Sequence, residues 1–314
     1  MLSVIIVSWN VCELLRACLK SLEACSCTRM LQRIVVVDNA SSDGSANMVA
    51  TDFSYVHLLC EENRGFSAGN NAGLRCVREW WAQQSNGEDY ALLLNPDTVV
   101  QPGALDALVD AMRADAGVGL LGPRLRYADG SVQSSRRRFP TLELAMVEST
   151  WAEARAPRAM LDSYTMRDVP DDQPCDVDWV VGAAMFVRRQ VVEQVGGLDE
   201  QLFFMYCEET DWCRRIRDAG WRIAYRPCAE IVHYEGRSSE QVSAQRMIWF
   251  NTSKVRYFAK HHGVQQAEVL RRSLLAQFRR QIGVEILKML LGHKWAMRRA
   301  RIAAYCAVLA SDLR

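Results

Sequence analysis

The stretch Leu92-Leu93-Leu94-Asn95-Pro96-Asp97-Thr98-Val99-Val100 constrains this chain more than any other. Three consecutive leucines suit a strand buried on both faces, the situation of a parallel sheet flanked by helices. Ligands of such sheets gather beyond the carboxyl ends of the strands. Sequence order puts the carboxylate of Asp97 there, before the chain turns at Pro102-Gly103. Asn95, Pro96 and Asp97 are also good turn formers for purely local backbone reasons, so the segment alone is equally compatible with a plain turn.

The residues before it repeat the same pattern. Ser3–Ser8 reads as a β-branched strand, ended by Trp9-Asn10 and followed by the helical spacing Leu14, Leu15, Cys18, Leu19, Leu22. Ile34–Val37 is a second strand, and the polar run from Asp38 through Asp43 and Gly44 to Ser45 leads into a helix start. Tyr55–Leu59 is a third strand. It enters Asn63-Arg64-Gly65-Phe66-Ser67-Ala68-Gly69-Asn70-Asn71-Ala72-Gly73, a glycine-rich turn that permits close backbone approach, before helical periodicity over Leu74–Trp81. Leu92–Val100 is then the fourth strand. Four strand–helix units in about 110 residues predict an α/β fold with a mostly parallel, right-handed sheet and its loops on one rim. No stretch supplies GxGxxG after the first strand with an acid about 20 positions on, and there is no P-loop, which argues against both of those nucleotide sites.

The second half is less regular. Asp129-Gly130 predicts a hairpin turn, followed by Arg136-Arg137-Arg138, which suits either a phosphate or a solvated charge run. Residues 141–175, with Pro157, Pro170 and Pro174, read as a helix and a mobile loop. Asp176–Arg188 reads as one buried strand passing close to a ligand. A helix beginning near Glu208 carries Glu208, Glu209 and Asp211 in its first turn, where the macrodipole favours acids, and Gly220 closes it. Such acids are common as plain capping. Trp221–Tyr225 is a further strand. His233 follows the β-branched pair Ile231-Val232 and precedes a flexible polar loop over Glu235–Ser239; a lone histidine is usually structural, and a ligand role stays open.

At 314 residues and 49% hydrophobic, the chain can bury a sizeable core. A net charge of +1 gives no overall field for nucleic acid, and none is expected as a partner. The 11 cysteines are scattered, and neither Cys25-Ser26-Cys27 nor Cys207 with Cys213 has zinc or redox spacing, so free thiols in a reducing cytoplasm are the simplest account. The opening Met1–Val7 has no basic lead, and no apolar run reaches about 18 residues, so neither a signal peptide nor a spanning helix is expected. From about Gln241 the pattern is helical. Gln265–Arg314 interleaves Arg271, Arg272, Arg279, Arg280, Lys288, Lys294, Arg298, Arg299 and Arg301 with Leu274, Leu275, Phe278, Ile282, Ile286, Leu287, Leu290 and Trp295. This basic amphipathic stretch suits a membrane surface or a helical pair packed on the domain, with the membrane reading preferred.

The set Val7-Ser8-Trp9-Asn10, Val37–Gly44, Asn63–Asn71, Leu94–Asp97, Gly182-Ala183, Gly197-Leu198-Asp199, Phe204–Asp211 and His233, in this order, resembles the family-2 glycosyltransferases of GT-A fold, and within them the bacterial rhamnosyltransferase-like branch. The likeness covers residues 2–262, with a nucleotide-sugar-binding half at 1–110 and an acceptor and catalytic half at 111–262. Residues 263–314 form a basic helical extension outside it.

The resemblance implies an inverting glycosyltransferase that moves a sugar from a nucleotide-sugar donor to a hydroxyl of a glycan or lipid-linked acceptor in cell-surface polysaccharide synthesis. Rhamnose on dTDP is the favoured donor and UDP-hexoses come next. It implies a nucleotide pocket of Ser8, Asn10, Asp38, Asp43, Arg64, Gly65, Asn70 and Asn95. A divalent metal, Mg²⁺ or Mn²⁺, would be held by Asp97 and His233; the family's Asp-x-Asp reads Asn95-Pro96-Asp97 here, which leaves Asp97 as the carboxylate ligand. The catalytic base falls on Glu209 in place of the family's aspartate, with Glu208 second. Trp179, Gly182 and Ala183 would shape the acceptor side, and Arg136 and Arg137 would assist the diphosphate. The expected location is cytoplasmic, peripheral at the inner face of the membrane, with a homo-oligomer left open. A nucleotidyltransferase would want a glycine-rich signature with a basic residue near its start, which Val4–Asn10 lacks; a non-catalytic scaffold would have no need of Asp38, Asp97, Glu209 and His233 together.

Overall fold

The computed structural model describes residues 1–25, 30, 32–83, 88–234, 243–292 and 294–314. The expectations placed on Ser26, Cys27, residues 235–239 and Gln241 lie outside the described residues. The chain runs β1 (Leu2–Ser8), α1 (Cys12–Ala24), β2 (Gln32–Asn39), α2 (Ser45–Asp52), β3 (His57–Glu61), α3 (Gly65–Ala82), β4 (Tyr90–Leu94), β5 (Thr98–Val100), α4 (Ala104–Ala114) and β6 (Val118–Arg126). It continues through β7 (Val132–Gln133), β8 (Arg136–Arg137), α5 (Leu142–Val147), α6 (Arg158–Tyr164), β9 (Cys175–Val177), β10 (Trp179–Val180) and β11 (Ala184–Arg188). Then come α7 (Arg189–Val195), α8 (Glu208–Asp218), β12 (Arg222–His233), α9 (Ser243–His262), α10 (Val264–Leu290) and α11 (Trp295–Ser311). Two compact units result. One comprises Met1–Phe139, Asp162–Gln201 and Glu208–Ser238, the other Pro140–Leu161, Leu202–Cys207 and Ser239–Arg314.

The first unit is built on a sheet ordered β3-β2-β1-β4-β11-β6-β12-β5, with β7 beside β6 and β9 beside β12. β3, β2, β1 and β4 pair in parallel, as do β6 and β12, while β11 enters antiparallel between β4 and β6. Alternate residues of a strand face opposite sides, and here both sides are covered. Leu2, Val4 and Ile6 of β1 join Leu92 and Leu94 in a core with α1, α2 and α4, and Ile5 and Val7 join Ala91 and Leu93 in a second core with α3, α7 and α8. That double burial is the physical reason for three leucines in a row.

Several expected elements are divided differently. Leu92–Val100 is two strands: β4 stops at Leu94, and β5 resumes at Thr98 to pair antiparallel with β12. The break places Asn95, Pro96 and Asp97 on the rim. Residues 65–73 are the first half of α3 and not a turn, and their glycines serve packing. A Cβ at Gly69 would lie 2.7 Å from Val7 Cγ1, and one at Gly73 would lie 2.4 Å from Ile5 Cγ2, so these glycines let the helix approach β1. Asp176–Arg188 is three strands, β9, β10 and β11, each with a different partner. Arg222–His233 is one irregular strand with a register shift between Arg226 and Glu230. The hairpin at Asp129-Gly130 joins β6 to β7, with Gly130 N donating to Tyr127 O at 2.9 Å.

The second unit is helical. Phe203, Tyr257 and Phe258, with Leu270, Leu274, Leu275 and Phe278 of α10 and Val308 of α11, form its core. α10 changes character along its length: its first half is buried there, while Val284, Ile286, Leu287 and Leu290 are exposed. Among the described residues no helix is long and apolar enough to cross a membrane.

Candidate active site

All the catalytic, nucleotide and metal candidates fall in the first unit, on loops at the carboxyl ends of β1, β2 and β4 and on the elements beside them. Asp38 ends β2 and is buried. Its Oδ2 accepts from Ser41 N at 2.9 Å, and its Oδ1, like Ser8 Oγ at the end of β1, is buried with no hydrogen-bond partner among the described residues. A buried polar atom left unpaired costs free energy unless something fills the gap. The neighbouring loop is braced. Asn10 adopts a left-handed φ of 53°, donates its N–H to Ser41 Oγ (3.0 Å) and accepts from Ser42 N (2.7 Å). Asp43 accepts from Cys12 N at 2.8 Å and from Ser45 N at 3.1 Å. Burial pushes the Asp43 carboxyl up, but the hydrogen bonds from Ser45 and Cys12 outweigh it and hold the group below its ordinary range. Asp43 therefore shapes the loop by tying the starts of α1 and α2 together.

At the start of α3, Gly65 takes a φ of 94° and its carbonyl accepts from Asn39 Nδ2 at 3.2 Å. Asn70 is buried and donates to Phe66 O at 2.9 Å, while Arg64 is largely exposed and lies 3.9 Å from Glu200.

The rim at Asn95-Pro96-Asp97 is fixed on both sides. Asn95 N donates to Ala183 O (2.9 Å), and Tyr234 N donates to Asp97 O (2.8 Å). His233 is the antiparallel register partner of Thr98, the residue after Asp97, which explains how side chains far apart in sequence meet. His233 Nε2 lies 3.3 Å from Asp97 Oδ1 and 3.5 Å from Asn95 Nδ2, and its Nδ1 lies 3.0 Å from Gln133 Oε1. All of Asp97, His233 and Gln133 are buried. Gln133 Oε1 can accept from Nδ1, and in that tautomer Nε2 keeps a lone pair. Asp97 Oδ1 is within ion-pair distance of that nitrogen, yet no hydrogen bond satisfies it. A buried carboxylate oxygen without a hydrogen bond, 3.3 Å from an imidazole nitrogen, fits a divalent cation. Among the described residues no group of three or more His, Cys, Asp and Glu side chains is placed to hold a metal.

Glu208 and Glu209 open α8. The two residues before them, Tyr206 and Cys207, both take left-handed backbone angles (φ 72° and 64°), uncommon for bulky side chains and typical of sites where geometry is over-determined. The helix is anchored by Asp211, whose carboxylate accepts from Arg215 Nε at 2.9 Å, by Arg215 to Gly197 O at 2.7 Å, and by Trp212 Nε1 to Gly196 O at 2.9 Å. Glu208 is buried and its Oε2 has no hydrogen-bond partner among the described residues. Desolvation, with repulsion from Glu209 behind it, raises its pKa well above the ordinary glutamate value. Glu209 is only partly buried. It lies beside Gly182, where an added Cβ would come within 3.7 Å of Glu209 Cβ. The structure thus groups Asn95, Asp97, Ala183 and His233, and puts Gly182 next to Glu209.

Arg136, Arg137 and Trp179 are held inside the fold. The buried Arg136 donates to Pro170 O (3.1 Å), Val169 O (3.0 Å) and the Asp171 carboxylate, and stacks over Tyr225. Arg137 donates to Ser134 Oγ at 2.8 Å, and Trp179 Nε1 to Arg138 O at 2.9 Å. Gln133 is the site residue that sequence reasoning missed. Its only signal was the hairpin turn at Asp129-Gly130, which returns the chain to β6.

The sheet carries a buried acid at the end of β2 and a carboxylate–histidine pair beyond the end of β4 on one rim. Residues 1–252 match the model for "Glycosyltransferase like family 2". The chain is 30% identical over 233 residues to N-acetylglucosaminyl-diphospho-decaprenol L-rhamnosyltransferase of Mycobacterium tuberculosis, covering 73% of this chain and 75% of that one. It is 26% identical to rhamnosyltransferase WbbL of Escherichia coli, covering 73% of this chain and 82% of the other. Among solved structures it is similar to a mannosyltransferase from Pyrobaculum calidifontis in complex with GDP-Man and Mn²⁺, with a TM-score of 0.56 and 18% identity over 99% of this chain and 85% of that one. The chain belongs to glycosyltransferase family 2 and has the GT-A fold expected from its motifs.

Proposed function

We propose that this glycosyltransferase moves rhamnose, carried on a dTDP-type nucleotide, to a hydroxyl of a lipid-linked glycan acceptor, with inversion at the anomeric carbon. The names of the two relatives support the sugar, and that of the mycobacterial relative supports a lipid diphosphate acceptor. The observation that supports the mechanism is the buried Asp97 Oδ1, without a hydrogen bond and 3.3 Å from His233 Nε2, together with Glu209 beside Gly182.

In this reading Asp38 Oδ1 and Ser8 Oγ, buried without partners, bind the nucleotide base, and the Asn10–Asp43 loop with Arg64, Gly65 and Asn70 walls the pocket. Asp97 and His233 would hold a divalent ion, with Asn95 near them; one imidazole and one carboxylate suit Mn²⁺ better than Mg²⁺, which prefers oxygen ligands. The bound ion supplies Lewis-acid neutralisation of the leaving diphosphate. Glu209 accepts the proton of the acceptor hydroxyl as that oxygen bonds to the anomeric carbon. The bond from that carbon to the diphosphate oxygen breaks in the same step, and the nucleoside diphosphate leaves with the electron pair. A positioned base of this kind contributes about 10² to 10⁴ in rate. Burial, with repulsion from Glu209 behind it, raises the pKa of Glu208 well above the ordinary glutamate value, so Glu209 is the better placed of the two to act as the base. Gly182, Ala183 and Trp179 shape the acceptor side. The enzyme works at the cytoplasmic face of the membrane as a peripheral protein.

A thermal-shift screen of dTDP-rhamnose, UDP-hexoses and GDP-mannose with and without Mn²⁺ or Mg²⁺, followed by product analysis with the responding donor, tests this reading. The largest shift is expected for dTDP-rhamnose with Mn²⁺, because a ligand that binds the native state raises apparent stability. A response to a UDP or GDP sugar alone reassigns the donor.

A further inference from the structure

The helical unit contains a cavity of about 750 Å³ that no part of the transfer chemistry uses. Its lining has an unusual balance. Arg155, Arg246, Arg280, Lys288 and Arg301 contribute five cations against one carboxylate, Glu285, and that carboxylate is already taken by Arg298 Nη1 at 2.6 Å. Among the described residues, Arg155, Arg246, Arg280 and Lys288 make no ion pair. Arg280 and Arg155 lie over the faces of Trp151, at 4.2 and 5.1 Å from the ring centre, which fixes their planar forks without using up their N–H donors. Two lining residues also carry buried polar atoms with no hydrogen-bond partner among the described residues, Trp151 Nε1 and Gln277 Oε1. Trp151 Nε1 is a donor, like the arginine and lysine N–H groups around it, whereas Gln277 Oε1 is an acceptor that only a protonated phosphate oxygen could meet; unpaired donors in a cation-rich recess with an aromatic wall fit an anion with several acceptor oxygens.

The surroundings give the anion an apolar attachment. Phe250, Phe278 and Val284 line the same cavity; from the lining residues Val284 and Lys288 α10 runs on to Leu290, with Leu287 between them, Leu291 just after it and Trp295 opening α11. Leu290 and Leu291 are about three-quarters exposed (76% and 75%), and Leu287 and Trp295 more than half. Apolar side chains in water flanked by Lys288, Lys294 and Arg299 are the composition of a segment that lies in a lipid interface.

We propose that this cavity binds the phosphate or diphosphate headgroup of a membrane lipid while Leu287, Leu290, Leu291 and Trp295 enter the acyl boundary. The proposal rests on the lipid-linked acceptor reading above and deepens it: the ligand class is a phosphate-bearing lipid, held by Arg246, Arg280 and Lys288.

Flotation of the full-length protein with vesicles, without any donor sugar, tests it independently of turnover. Vesicles of phosphatidylcholine alone are compared with vesicles containing one-fifth phosphatidic acid, and inorganic pyrophosphate serves as the soluble arm. Each cation near an anionic surface is worth about five-fold in affinity, so Arg246→Gln with Arg280→Gln should weaken binding to the phosphatidic acid vesicles by roughly 25-fold. Leu290→Asn with Leu291→Asn should weaken vesicle binding while leaving quenching of Trp151 by pyrophosphate intact, read as the signal lost in Trp151→Phe. Retained circular dichroism and retained donor binding certify that the variants are folded. Equal binding to both vesicle types, or wild-type binding by the Arg246/Arg280 double variant, would overturn the proposal. Saturation by pyrophosphate with no gain from the vesicle would reassign the cavity to a soluble phosphate. Each of these failures leaves sugar transfer standing, because a water-soluble acceptor analogue would still be glycosylated.

Discussion

Gln133 Oε1 sits 3.0 Å from Nδ1 of His233, on the far side of the imidazole from Asp97. If Gln133 accepts from Nδ1, Nε2 is left to face the proposed metal, and outer contacts of this type are commonly worth 10- to 100-fold in metal affinity. Gln133→Leu should therefore weaken Mn²⁺ binding by about that factor in a calorimetric titration, with little change in melting temperature. Gln133→Glu, which keeps an acceptor oxygen, should retain most of the affinity. Equal Mn²⁺ binding by the leucine variant would mean that Gln133 does not orient the ring.

Replacing Glu209 by Gln keeps the shape of the side chain beside Gly182 and removes its basicity. The expected result is a fall in kcat of about 10² to 10⁴ with the dissociation constant for donor nucleotide unchanged. Asp97→Asn should instead abolish metal-dependent donor binding. A Glu209→Gln enzyme with near-normal kcat would move the base elsewhere, Glu208 being the next candidate to replace.

Glu208 makes a statement about stability. Its folded-state pKa lies well above the ordinary glutamate value, through burial first and Glu209 second. The unfolded chain releases this proton near pH 4.5 while the folded protein retains it, so the group's contribution is fully present below that pH and is lost as pH rises toward the folded pKa. Glu208→Gln keeps the neutral form at every pH. The variant should gain stability over wild type by an amount that grows from pH 5 to pH 8, measured by chemical denaturation across that range. A difference independent of pH would show that Glu208 is ionised in the folded state.

What could be read from the sequence followed periodicity and strand ends. The leucines of β4 announced a doubly buried strand, and the acids Asp38 and Asp97 were found because a parallel sheet delivers its carboxyl ends to one rim. The pairing of His233 with Asp97 depended on the β12–β5 register, which sequence order does not reveal, and it reached the reading through family likeness alone. Gln133 was invisible because β7 is two residues long and one glutamine in a polar run carries no pattern. Arg136 shows the reverse limit: three adjacent arginines look alike as charges, and only the structure shows that Arg136 is buried against Val169, Pro170 and Asp171. The basic cavity was equally hidden, since the side chain under its arginines, Trp151, comes from a segment without periodicity.

The glycines of α3 give the sharpest contrast between propensity and packing. In an isolated helix Gly73→Ala would be favourable by about 1 kcal/mol, because glycine is the costlier residue in a helix interior. Here the new methyl group would meet Ile5 Cγ2 at 2.4 Å, in the middle of β1, where neither the strand nor the helix can move without disturbing the core on that face of the sheet. Overpacking of this kind costs about 1 to 3 kcal/mol, so the substitution should destabilise the protein despite the propensity gain. Urea denaturation should show a lower midpoint at unchanged slope. Ile5→Ala removes the obstructing atoms, so the double variant should be less destabilised than the sum of the two single changes. Simple additivity, or a stabilising Gly73→Ala, would mean that α3 can stand off from β1, and that the glycines at Gly69 and Gly73 are there for something other than close approach.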